Sequence, residues 1–230
     1  MRALLSLIVA IIITMGTSHV ASATGLVNFT KTPDIVPGQR GVMELYLMNT
    51  FSANMTNISL LMHIYAFATQ HGVVPISSIP PENRPHFADG GESFWFNYSE
   101  LAPSEKLYIN VTIMTAPATA HGSFFSQDIY EMSSILSFHV GNTGYRFASP
   151  GVFNSTEWHH LLYMENGAEY LNYTLLNSLG YSGIIPDTSF GVNTPSPLYL
   201  IYVSASLSML FALIAFIYYR RSKQGPQQRR

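Results

Sequence analysis

The sequence predicts a mainly β protein, an antiparallel β-sandwich followed by a short helical segment and one transmembrane helix. Three observations carry this expectation. Leu198 to Tyr219 is a run of 22 residues without a charge. From Leu26 to Val140, short segments of alternating apolar and polar residues recur, separated by Pro, Gly and Asn turns; this is the period-two signature of half-buried strands. In three of those segments an Asn-x-Ser/Thr sequon falls on the polar phase.

The apolar run fixes the topology. At about 1.5 Å rise per residue it reaches roughly 33 Å, enough to cross a hydrocarbon core of about 30 Å. Pro195 and Pro197 precede it, and Arg220, Arg221 and Lys223 follow at once. Tyr199 and Tyr202 lie near one end and Tyr218 and Tyr219 at the other, where aromatic rings favour the headgroup level. The tail 220–230 holds five basic residues and no acid. The positive-inside rule then places it in the cytoplasm and the preceding chain outside, a single-pass type I protein of the cell membrane. Met1-Arg2, the apolar stretch Ala3 to Ile13 and Ala21-Ser22-Ala23 complete a secretory signal over residues 1–23.

Composition narrows the function classes. Residues 24–197 hold all 13 carboxylates against five basic residues, so the exported part is acidic and nucleic acid is excluded as a partner. With no cysteine, disulfides, thiolate zinc, blue copper and iron–sulfur clusters are excluded too. Charged residues make up 10% of the chain against an average of about 25%, which suits an acidic exterior. Sequons occur at Asn28, Asn54, Asn57, Asn97, Asn110, Asn154 and Asn172, all in the exported part, and each is expected to be a surface glycan position. Many sequons without cysteine fit an archaeon better than an animal or a typical bacterium.

Along the chain, Leu26 to Thr30 reads as a first strand, Val36-Pro37-Gly38-Gln39 as a turn and Gly41 to Asn49 as a second strand. In Asn57 to Phe67, Ile58, Leu60, Met62, Ile64 and Ala66 face in, with Asn57 on the opposite phase. Thr69 to Gly91, with four prolines and three glycines, reads as a long irregular loop. In Glu92 to Tyr98, Phe94, Phe96 and Tyr98 share a face opposite Trp95 and Asn97. In Lys106 to Thr115, Leu107, Ile109, Val111 and Ile113 face in while Tyr108 and Asn110 face out. Ser123 to Ile129 and Ile135 to Val140 complete about seven strands.

Glu92-Ser93-Phe94-Trp95-Phe96, the stretch Leu101-Ala102-Pro103-Ser104-Glu105 leading into the alternating strand to Thr112, and Ala120-His121-Gly122-Ser123-Phe124 together resemble an immunoglobulin-like repeat of archaeal and bacterial surface proteins, the CARDB-like and S-layer-associated sandwiches. The resemblance covers about half of the exported part. It implies an immunoglobulin-like sandwich with adhesive or scaffolding roles and no catalytic residues. Ser104 stands where that family usually has Gly.

Beyond residue 150 the pattern turns helical. Ser155 or Thr156 can cap a helix whose first turn holds Glu157, and Asn166-Gly167 interrupts it. Two short helices are expected, Glu157 to Glu165 and Ala168 to Leu179, the second burying Leu171, Leu175 and Leu179. This helical segment, 151–180, is expected to pack on the 24–150 domain, with 181–197 as a juxtamembrane linker.

Candidate chemistry is sparse. On a helix, Glu157 and His160 lie one turn apart beside His159, and Met164 lies one turn further, a conceivable copper or zinc site. The alternative is a helix start with two partly exposed histidines. No Gly-x-Ser-x-Gly elbow, phosphate loop or dinucleotide fingerprint is present, so neither enzymatic activity nor a bound cofactor is expected. In the apolar run, Ser204, Ser208, Ala212 and Ala215 form a stripe of small residues suited to close helix contact. The sequence thus points first to a glycosylated envelope module that meets membrane lipid and other envelope or membrane proteins. Its alternatives are an accessory subunit of a respiratory or transport complex, and a copper- or zinc-binding domain.

Overall fold

A computed structural model describes residues 25–69, 72–117, 127–194 and 198–224. The expected signal sequence, the end of the basic tail and the stretch 118–126 lie outside the described residues. The chain divides into two units, one ending at Thr194 and one beginning at Pro195.

In the first unit the strands are β1 (Val27–Lys31), β2 (Asp34–Ile35), β3 (Arg40–Met48), β4 (Met55–Thr69), β5 (Gly72–Pro75), β6 (His86–Phe87), β7 (Ser93–Leu101), β8 (Lys106–Met114), β9 (Gln127–Val140) and β10 (Thr143–Ala148). They are followed by α1 (Ser155–Leu161), β11 (Leu162–Glu165), β12 (Ala168–Leu171), α2 (Tyr173–Ser178), β13 (Gly183–Ile184) and β14 (Thr188–Asn193). One sheet has the order β1-β3-β8-β6, antiparallel throughout. The other is built on the long antiparallel pair β4 and β9. The free edge of β4 takes β7 and then β5, and the free edge of β9 takes β14 and then β10. Only the two-residue strands β13 and β2 pair in parallel.

The two sheets share one core. Met43, Leu45 and Leu47 of β3 and Ile109, Val111 and Ile113 of β8 join Ile58, Leu60, Met62 and Ile64 of β4 and Met132, Leu136 and Phe138 of β9 in a single buried cluster. Period-two alternation makes this possible, since each strand presents every second side chain to one face. The residues expected to face inward in β4 are all buried, and so are those of β8 except Leu107, which is half-buried. In β7 the expectation holds for Phe94 and Phe96, which pack on the core from its edge, but Tyr98 is exposed.

Three local features refine the sequence reading. Ser104 adopts φ +63°, the left-handed region that favours glycine; a turn closed by Glu105 N donating to Ala102 O (3.1 Å) imposes it. Within the expected loop Thr69 to Gly91, the described residues 72–91 form a structured crossover from one sheet to the other. It runs through β5, two 3-10 turns and β6, and it buries Ile76, Ile79 and Phe87. Arg84 ties it together, donating to Ile79 O (2.7 Å), Ser77 O (3.1 Å) and Glu92 Oε1 (2.9 Å).

The helical segment is corrected more deeply. Asn154, not Ser155 or Thr156, caps α1, its Oδ1 accepting from Thr156 N (3.0 Å) and Glu157 N (2.9 Å). The helix ends at Leu161, and the expected second helix begins as strand β12, with only Tyr173–Ser178 helical. Asn166 and Gly167 take φ +52° and +79°, the double left-handed turn that closes a two-residue hairpin. Tyr163 and Tyr170 stack across that hairpin at 5.7 Å. Leu161, Leu171, Leu176 and Ile184 form a second small core with Phe153 and Trp158 against it, while Leu179 stays exposed. The expected linker is no linker over Gly183–Asn193: β13 and β14 belong to the larger sheet, and Ile185, Phe190 and Val192 are buried in the main core.

The second unit is helix α3 (Leu198–Gln224). Its segment Ile201–Arg220 is long and apolar enough to cross a membrane. The hydroxyls of Ser204, Ser206 and Ser208 donate to Ile201 O (3.0 Å), Tyr202 O (2.7 Å) and Ser204 O (2.8 Å). Each serine donor is thereby satisfied within the helix, as a lipid setting requires.

Candidate functional site

A cleft of the β domain begins at an irregularity in β4. Ile64 pairs with Met132 and Ala66 with Glu131, so Tyr65 is an extra residue in the ladder. Such a bulge re-aims a side chain that regular alternation would place elsewhere. The Tyr65 ring packs on the bare Cα of Gly151, in the 3-10 turn Pro150–Val152. A Cβ there would lie 2.5 to 2.6 Å from three atoms of that ring. Gly151 is thus fixed by contact rather than by backbone conformation.

The same glycine anchors a carboxylate. Its N–H donates to both oxygens of Asp187, at 3.2 and 3.0 Å. The buried Ser149 hydroxyl accepts from Ser134 N (2.8 Å) and hydrogen-bonds to Asp187. Burial pushes the Asp187 carboxyl above its ordinary range, and the bonds from Ser149 and Gly151 hold it partly back. Glu131, on β9 opposite Ala66, is also raised, by burial first and then by the charge of Asp187. Tyr65 is pushed up to about 12, by burial and then by the two carboxylates. The three groups therefore share one weakly solvated neighbourhood.

Above them opens a cleft of about 670 Å³. Its walls include Tyr65, Val73 and Pro75 on one side and Phe153 and Trp158 on the other, with Asp187 among them. Phe153 stacks on Trp158 at 6.0 Å and meets Tyr181 edge-on at 5.3 Å. No basic residue lines it among the described residues. A carboxylate set in an aromatic wall can hold and orient a ligand.

The acidic pair makes stability depend on pH in a definite direction. Because the native state raises both carboxyls, it binds protons more tightly than the unfolded chain. Their contribution is complete below the ordinary carboxylate values of about 4 and is lost as pH rises through the raised native values. The thermal midpoint of the full chain in detergent is expected to rise as pH falls from about 7 to about 5. Glu131→Gln should flatten that rise, and a midpoint that falls steadily with acidification would contradict it.

The other candidate residues lie elsewhere. Glu157 is engaged in its capping box, Oε2 accepting from Asn154 N (3.0 Å), while His159 and His160 are exposed. Met164 is not one turn beyond His160, because the helix has ended and Met164 sits exposed on β11. The four residues are thus not gathered, and no group of three or more metal-ligating residues exists among the described residues. Ser204, Ser208, Ala212 and Ala215 share one face of α3 by their helical spacing.

Sequon residues Asn54, Asn57, Asn97, Asn110 and Asn154 are exposed, and Asn28 and Asn172 are partly exposed. Asn57 occupies a second β4 bulge, at φ +52°. Asn154 and Asn172 cap helices through Oδ1, which leaves Nδ2, the atom that carries a glycan, out of the cap.

No family model and no curated protein matches the chain. Among solved structures, a family 123 glycoside hydrolase from Clostridium perfringens aligns with a TM-score of 0.29 at 12% identity, over 72% of this chain and 23% of the hydrolase. A human ASH/PapD-like domain aligns at 0.31 and 8% identity, over 75% of this chain and 87% of that domain. The macrocyclization catalyst AvmM of alchivemycin A biosynthesis aligns at 0.29 and 13% identity, over 75% and 91%. At this level of likeness they identify neither a family nor an activity.

Sequence reasoning missed Tyr65, Glu131, Gly151 and Asp187 as a group. The one local signal was Tyr65, a large polar-tipped ring on the outward phase of the longest strand.

Proposed function

We propose that the protein is a membrane-anchored, N-glycosylated envelope protein of archaeal type, with an extracytoplasmic binding module of immunoglobulin-like character. Helix α3 would hold it in the membrane, with the acidic β domain outside and the basic tail in the cytoplasm. The observation that carries the reading is the placement of the sequons. None of the seven asparagines is buried, although the alternating strands that hold Asn57, Asn97 and Asn110 place every second residue toward the interior. A glycan needs an exposed position, and each of the seven asparagines meets that requirement.

The test is made on native membranes. Protease added to intact cells is expected to digest the β domain while sparing the tail, and mass spectrometry should find glycans on peptides containing Asn97, Asn110 and Asn154. Unmodified sequons, together with a β domain cut only after lysis, would overturn the reading.

A further inference from the structure

We propose that the cleft between Tyr65, Phe153 and Trp158 is a binding site for a small organic ammonium ion. Three features of the cleft select that class. Its walls are aromatic and aliphatic, so a ligand gains by burying a hydrocarbon body. Its charged side chain is the carboxylate of Asp187, fixed by two bonds from Gly151 N and one from Ser149. With Glu131 close behind and no basic residue in the lining, an anion would meet repulsion and a neutral ligand would gain nothing from the charge.

Aromatic faces and a carboxylate are the two groups that attract an ammonium, the faces through the negative centre of the ring and the carboxylate through its charge. The volume, about 670 Å³, lies within the usual range for small-molecule sites, and the other described cavities are smaller, at about 260 to 370 Å³. The acidic surface of residues 24–197, with 13 carboxylates against five basic residues, steers cations toward it.

This assignment deepens the binding role proposed above, yet its test does not depend on topology, and it uses the chain expressed without glycans because Asn154 also lines the cleft. Trp158 lines the cleft, and the chain has only one other tryptophan, the exposed Trp95. Trp95→Phe therefore leaves Trp158 as the sole reporter. The full chain in detergent is titrated at neutral pH with phenethylammonium, and separately with 2-phenylethanol, its neutral isostere. Phenethylammonium is expected to change Trp158 emission saturably, and the alcohol to bind about tenfold more weakly.

Asp187→Asn should erase that preference. Because Asp187 also braces the Gly151 turn, a second variant, Val73→Lys, provides a control at an exposed wall position. It should abolish phenethylammonium binding without altering the circular dichroism spectrum. Equal binding of amine and alcohol, no response to either, or undiminished binding by Val73→Lys would overturn the proposal. None of these outcomes bears on whether the chain is glycosylated and anchored, so the two readings fail separately.

Discussion

Phe190→Ala lowers the stability of the β domain by about 3–5 kcal/mol, the usual cost of deleting a buried aromatic ring. Phe190 is only 2% exposed and pairs in register with Tyr130 of β9, on whose ring it stacks at 5.3 Å. It belongs to the same buried cluster as Ile185 and Val192. For a domain of this size each kcal/mol is worth about 2–4 °C, so the thermal midpoint should fall by roughly 6 to 20 °C. Circular dichroism of the full chain in detergent reads this directly. The result separates two views of residues 181–194. A linker residue changes stability by no more than about 0.5 kcal/mol, and a shift that small would remove β14 from the core.

Asn49→Ala is expected to cost at least about 2 kcal/mol, by a different mechanism. Asn49 is fully buried where three strand ends meet. Its Nδ2 donates to Ala53 O (2.8 Å), just before β4, and to Leu101 O (2.9 Å), at the end of β7. Its Oδ1 accepts from Phe51 N (2.9 Å). Its backbone joins the turn into β8, N donating to Glu105 O (3.1 Å) and O accepting from Ser104 N (2.9 Å). Alanine would leave the buried Leu101 carbonyl without a partner, at about 1–3 kcal/mol, and remove two part-buried bonds worth about 0.5–1.5 kcal/mol each. Urea unfolding followed by fluorescence should show a lower midpoint with an unchanged slope, since the surface exposed on unfolding is the same. A loss below about 1 kcal/mol would mean that water or a rearranged turn replaces the side chain.

Much of the fold was legible because its signals are local. Alternation in Ile58 to Ala66 and in Leu107 to Ile113 named the inward faces of two central strands, and burial follows them. Glu157 sat three residues after a capping residue, although that residue proved to be Asn154. Where two structures were locally compatible, the sequence reading chose the wrong one. Asn166-Gly167 serves equally as a helix break and as a hairpin turn. The hairpin is preferred here because Tyr163 and Tyr170 stack across it while Leu171 enters the small core. Stretches rich in turn-forming residues misled in the same way. Residues 69–91 and 181–194 have loop composition, yet they contribute β6 and β14, short strands that only a distant partner makes stable.

The sequence by itself determined the long apolar helix, the alternating faces of the main strands and the polar phase of the sequons, since each depends on residue spacing within a single element. The tertiary structure alone decided that β14 pairs with β9 in the larger sheet, and that Tyr65, Glu131, Gly151 and Asp187 share one site. Short strands have too few residues to specify their own pairing, so the neighbouring edge selects them. The ionisation of a carboxyl depends on what surrounds it, and around Asp187 those neighbours come from β4, β9 and the turn after β10.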